Sequence, residues 1–136
     1  MIAMDATLRE RPNRETLADL VSYVKEYYPG VQLMADISSL EDVMNAERLG
    51  FDCVSTTLYG YTNETKGCKL YENDFEFIKT VLKNVSIPVI AEGNVITPEM
   101  AGRVLDLGAY SVVVGGAITR PQQITSRFVE EIKRGC

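Results

Sequence analysis

Histidine is absent from this 136-residue chain. That removes histidine-based nucleophile triads and HExxH metal sites, and leaves carboxylates, lysines and tyrosines as the side chains able to move protons. Cysteine is scarce. Cys53, Cys68 and Cys136 are an odd number without C-x-x-C spacing, so neither a disulfide framework nor a zinc cluster is expected. Cys53, inside an apolar run, reads as a buried small residue, and Cys136 as an exposed bystander at the terminus. No apolar run approaches the roughly 18 residues needed to span a bilayer. The stretch Met1-Ile2-Ala3-Met4-Asp5 lacks the basic leader and long apolar segment of a signal peptide. No membrane partner is expected, and cytoplasm is the default localisation. A broad basic face is missing too: the formal net charge is −5, which argues against nucleic acid as a partner. Backbone amides and one or two arginines still suffice for a local anion site.

What is present is an alternation. Strand-like apolar runs at 1–4, 31–35, 53–57, 88–91 and 111–114 are separated by amphipathic segments with recognisable punctuation. Asn13 can cap a helix carrying Leu17, Leu20, Val21 and Val24, which Pro29-Gly30 stops. Ser39-Leu40-Glu41-Asp42 fits a capping box, with Val43, Ala46 and Leu49 inward and Gly50 as C-cap. Asn73 or Asp74 opens a third helix, Thr97-Pro98 a fourth that Gly108 ends, and Pro121 a fifth with Ile124, Phe128 and Ile132 on one face. The order βαβαβαβαβα implies a parallel sheet with right-handed crossovers.

The strand ends are polar: Asp5-Ala6-Thr7, Asp36-Ile37-Ser38, Ser55-Thr56-Thr57 and Glu92-Gly93. An open sheet concentrates its site at one switch point, whereas a closed barrel gathers every strand end around one mouth. A complete eight-unit barrel needs about 250 residues. The expected fold is therefore a parallel (β/α)8 TIM barrel, of which residues 1–136 supply the C-terminal five-eighths of a single phosphate-binding domain, with the N-terminal units absent.

Within that frame Glu92 is the candidate acid–base residue. It closes the run Pro88-Val89-Ile90-Ala91, read as a strand buried on both faces, and it stands directly before a glycine whose backbone a ligand can approach. Gly93 and Asn94, with Gly115 and Gly116 one unit later, are the candidate phosphate-binding loops, since the last two loops of such barrels present backbone N–H groups to phosphate. Asp36 and Asp5 occupy equivalent strand ends. Both are candidate substrate-binding residues that can hold sugar hydroxyls or orient a catalytic group; the alternative for each is to anchor its own loop. Arg9 and Arg11 either close over an anion or form a salt-bridged loop. Lys66 and Lys69 fall in a polar loop rather than at a strand end. Tyr59 and Tyr61 suit the mouth or the core.

Five strings carry a family resemblance: Ile2-Ala3-Met4-Asp5-Ala6-Thr7-Leu8-Arg9-Glu10-Arg11-Pro12; Leu33-Met34-Ala35-Asp36-Ile37-Ser38; Phe51-Asp52-Cys53-Val54-Ser55-Thr56-Thr57-Leu58-Tyr59-Gly60-Tyr61-Thr62; Pro88-Val89-Ile90-Ala91-Glu92-Gly93; and Val112-Val113-Val114-Gly115-Gly116-Ala117-Ile118-Thr119-Arg120-Pro121. In this order the chain resembles bacterial N-acetylmannosamine-6-phosphate 2-epimerases. The resemblance implies a (β/α)8 barrel that interconverts N-acetylmannosamine 6-phosphate and N-acetylglucosamine 6-phosphate in sialic acid catabolism, by removing and returning the C2 proton without metal or organic cofactor. It implies a catalytic glutamate at Glu92, a substrate-contacting arginine at Arg120, and a partner lysine on a strand preceding Met1. A phosphorylated amino sugar is the expected ligand, with a homodimer as a further partner. Two alternatives stay open: another phosphate-binding barrel enzyme, and a non-catalytic half-barrel that binds a phosphosugar.

Overall fold

The computed structural model describes residues 1–135; the expectation for Cys136 lies outside them. Five parallel strands form one sheet in chain order: β1 (Ile2–Asp5), β2 (Leu33–Asp36), β3 (Cys53–Ser55), β4 (Val89–Glu92) and β5 (Ser111–Val113). Between them run α1 (Leu17–Tyr27), α2 (Leu40–Leu49), α3 (Glu72–Asn84) and α4 (Pro98–Asp106), followed after β5 by α5 (Gly116–Thr119) and α6 (Pro121–Arg134). Each helix–strand alternation arises at the expected place.

The register separates the two faces of the sheet. Leu33, Ala35, Val54, Val89 and Ala91 are buried under the helices, and they pack against Leu17 and Val21 of α1, Val43 and Ala46 of α2, and Ile78 and Val81 of α3. Their strand neighbours Met34, Asp36, Ile90 and Glu92 are half-buried on the opposite face, as the two-residue period requires. Here β4 departs from the expected strand buried on both faces: only Val89 and Ala91 are fully covered. On that concave face the pairings Asp5↔Asp36 and Asp36↔Ser55 set polar side chains side by side at the strand ends.

Helix starts follow local chemistry. Thr16, rather than Asn13, caps α1: its hydroxyl accepts from the Asp19 N–H while the Asp19 carboxylate accepts from Thr16 N–H. Asn13 instead sits in a left-handed turn with φ +61. Ser39 caps α2 with the expected reciprocal bond to Asp42, and Gly50 ends it at φ +80. The third helix starts differently from the expected simple cap. Asn73, Asp74 and Phe75 are all left-handed, a conformation costing an L-residue about 1–2 kcal/mol. Two anchors hold it. Phe75 is buried in the core, and Arg103 of α4 grips both Asp74 carboxylate oxygens at 2.8 and 2.6 Å.

Candidate active site

The geometry of the strand-end site begins with β3. Thr56 is fully buried, and its hydroxyl donates to the Glu92 carbonyl (2.8 Å) while accepting from the Glu92 N–H (3.0 Å). The β4 backbone is thereby fixed at the residue that ends it. The flanking residues Ser55 and Thr57 point to the other face, where both hydroxyls reach Glu92 Oε2, at 3.0 and 3.1 Å. Glu92 Oε1 has no hydrogen-bond partner among the described residues. Thr57 Oγ1 also lies 2.9 Å from Asp36 Oδ1. A carboxylate from β2, two hydroxyls from β3 and a carboxylate from β4 thus form one connected cluster.

Burial is the main influence on Asp36 and pushes its carboxyl above the ordinary aspartate value. The Thr57 hydroxyl opposes this, and the negative charges of Glu92 and Asp5 add to it. Asp5 behaves differently. Burial raises it, but the Thr7 hydroxyl and N–H and the Arg9 guanidinium together hold it below the ordinary value. Its Oδ1 accepts from Thr7 Oγ1 (2.6 Å) and N–H (2.9 Å), and its Oδ2 from Arg9 Nε (2.6 Å). Arg11 donates to the carbonyls of Asp5 and Thr7. Asp5, Arg9 and Arg11 therefore brace the loop after β1.

A cleft of about 500 Å³ opens beside Glu92. It brings together Glu92, Gly93, Asn94, Gly115, Gly116 and Arg120, six of the residues expected from sequence. Asp36 adjoins this cleft through Thr57, whereas Asp5 lines a neighbouring cleft with Ser38, Asp42 and Tyr61. Gly93 has φ +105 and Asn94 φ +55, so the chain turns left-handed immediately after the carboxylate. At Gly116 a Cβ would meet Gln123 Oε1 at 3.3 Å and Arg120 Cδ at 3.4 Å; at Gly115 it would enter open space. A further cleft, about 730 Å³, lies away from Glu92, between residues 8–18 and the end of α2.

Sequence reasoning missed three contributors. Arg127 lines the cleft with Arg120; the two stand seven residues apart, two helical turns on one side, a spacing that could have revealed it. Ser55 and Thr57 belong to the polar end of β3, and their two-residue spacing already places both on the face of Asp36 and Glu92. Lys66 lies exposed in its loop, and no lysine lines the cleft among the described residues. Tyr59 resolves to core packing, stacked on Phe77 with ring centroids 4.0 Å apart, while Tyr61 is exposed at the rim.

A family profile described as "Putative N-acetylmannosamine-6-phosphate epimerase" (NanE) matches residues 1–134. A protein of Enterobacter sp. (strain 638), named "Putative N-acetylmannosamine-6-phosphate 2-epimerase", is 62% identical over 133 residues, covering 98% of this chain and 57% of that protein. A Staphylococcus aureus (strain Newman) protein of the same name is 59% identical over 130 residues, 96% of this chain and 58% of its own length. The solved structure of the N-acetylmannosamine-6-phosphate 2-epimerase from Clostridium perfringens superposes with a TM-score of 0.84 at 56% identity, covering 94% of this chain and 54% of that one. The chain spans a little over half the length of the relatives it matches.

Proposed function

Since the chain belongs to the N-acetylmannosamine-6-phosphate epimerase family, we propose that its cleft forms the acid–base and phosphate-binding part of a site that interconverts N-acetylmannosamine 6-phosphate and N-acetylglucosamine 6-phosphate. One observation carries the reading: a strand-end carboxylate shares a cleft of about 500 Å³ with two glycine-bearing loops and two arginines. A phosphosugar offers matching features, an acidic carbon at one end and a dianion at the other.

The chemistry follows from the substrate. In the open-chain sugar, C2 lies alpha to the C1 carbonyl, so its proton can leave when the resulting enolate is stabilised. Glu92, with its backbone fixed by Thr56 and Oε2 held by two hydroxyls, is the group that moves the proton on its side of C2. Asp36 orients sugar hydroxyls or the reacting carboxylate beside it. The 6-phosphate rests on the Gly93–Asn94 and Gly115–Gly116 backbone with Arg120, and Arg127 adds a second cation. Asp5, tied to its own loop, contributes by holding the wall next to Asp36. The reaction so derived draws on no metal or organic cofactor. The five βα units act as part of one phosphate-binding barrel domain. Its place is sialic acid catabolism in the cytoplasm, and no helix is long and apolar enough to cross a membrane among the described residues. A homodimer is a further partner in this reading.

Inverting C2 requires a proton on the opposite face of the enolate. The cleft holds one carboxylate and no lysine among the described residues, which favours a second reading, a phosphosugar-binding half-barrel, for this chain acting alone. Both are tested by following deuterium uptake at C2 of N-acetylmannosamine 6-phosphate in D2O. The assay uses this chain alone and together with the βα units of the Clostridium perfringens relative that it does not match. Exchange is expected in the combined sample and lost in Glu92→Gln, with phosphosugar binding retained. Exchange at an unchanged rate in Glu92→Gln overturns the acid–base assignment, and binding without any exchange selects the half-barrel.

A further inference from the structure

Two hydroxyls stand between the half-buried carboxylates that end β2 and β4. Thr57 Oγ1 lies 2.9 Å from Asp36 Oδ1 and 3.1 Å from Glu92 Oε2. Ser55 Oγ lies 3.0 Å from the same Glu92 oxygen and 2.8 Å from Thr57 Oγ1. All four separations suit hydrogen bonds, yet a hydroxyl carries one proton, so two hydroxyls fill only two of them. With both carboxylates ionised, the remaining oxygen pairs face each other with no proton between them, and for half-buried groups that is costly. One further proton changes the count. Placed on Asp36, it yields a directed chain from Asp36 to Thr57, Thr57 to Ser55 and Ser55 to Glu92. Placed on Glu92, it yields the same chain reversed, with every heavy atom unmoved.

We propose that Thr57, with Ser55 behind it, is a positioning residue that joins Asp36 and Glu92 into a single unit sharing one exchangeable proton. Its use rests on the epimerase reading. At rest the shared proton lies on Asp36, and the chain of hydroxyls leaves Glu92 as the carboxylate that faces the cleft. When Glu92 takes the C2 proton, the negative charge passes to the enolate and both carboxyls carry a proton. When Glu92 gives a proton up, the pair again holds one acid and one carboxylate, so charge and protons balance.

The surroundings are consistent with Asp36 as the resting place of the proton. Asp5 on β1 sets a negative charge beside it, itself engaged by Arg9 and flanked by Arg11. From β3 the neighbouring titratable group is the Cys53 thiol, which is raised chiefly by burial. Arg120 and Arg127 lie on the cleft side of Glu92. Burial together with the Glu92 and Asp5 charges raises the Asp36 carboxyl.

The test needs no substrate. Carboxyl carbon-13 shifts of Asp36 and Glu92 are followed against pH in the 136-residue protein and in Thr57→Ser, Thr57→Val and Ser55→Ala. The Glu92 signal is expected to show a second inflection at the Asp36 midpoint. Thr57→Ser keeps that inflection, Thr57→Val loses it, and Ser55→Ala diminishes it. A second inflection of full size in Thr57→Val means that the carboxylates sense each other only through space, and it overturns the proposal, as does its absence from the unaltered protein. If Thr57→Val does not fold, Thr57→Ala gives the same comparison. Loss of C2 exchange with the shared inflection intact would remove the epimerase reading and leave the shared proton standing.

Discussion

Asp36 shows how a single residue can be both costly and useful. Its carboxyl is raised above the aspartate value of 3.8, chiefly by burial. A carboxyl whose folded value is raised stabilises the fold fully only below its unfolded value, and this contribution is lost as pH rises through the folded value. Ionising the side chain is therefore a liability that the fold tolerates. Asn in its place keeps an oxygen to accept from Thr57 without the buried charge. Asp36→Asn is expected to have a higher urea midpoint than the unaltered chain at pH 7, with the gap closing as pH falls toward 4. Equal midpoints at both pH values would contradict this. Asp74 has the opposite sign. Arg103 leads the influences that hold it down to about 2, so its contribution is present above 3.8 and fades as pH falls toward 2.

At the scale of elements, the cap of α2 does more than start a helix. Asp42 is buried and accepts from the N–H groups of Ser38, Ser39 and Leu8 at 2.9–3.0 Å, and from the Ser38 hydroxyl. It therefore ties the loop after β1 to the end of β2. Asp42→Ala should cost roughly 3 kcal/mol, against about 1 kcal/mol for Thr16→Ala at the exposed cap of α1; urea unfolding of both variants checks the contrast. This capping box was legible in the sequence because its chemistry is local, as were the Gly50 stop, the parallel order and the glycine loops beside Glu92. The start of α3 was not. Its left-handed turn depends on Arg103, 29 residues away, and on a pocket for Phe75, and neither is visible in a local string. The pairing of Asp36 with Thr57 was hidden for a similar reason. Period two gives the face of each strand, but only register states which end meets which.

The whole molecule leaves much of its apolar surface uncovered. The strands β1 and β5 are sheet edges with backbone groups available for pairing. Phe128 and Ile132 of α6 are 67% and 66% exposed, and Val113 on the concave face is 40% exposed. At about 25 cal/mol per Å², covering such residues is worth several kcal/mol, so this chain should self-associate. Sedimentation velocity is expected to show oligomers growing with concentration, reduced by the double substitution Phe128→Glu and Ile132→Glu. A single monomeric species at every concentration would count against it. The sheet order, which repeats the chain order, also bears on biosynthesis. Within these five strands, each one after β1 pairs with the strand made a single crossover earlier. On the ribosome, structure can accrue unit by unit as the polypeptide emerges, each addition closing one short loop.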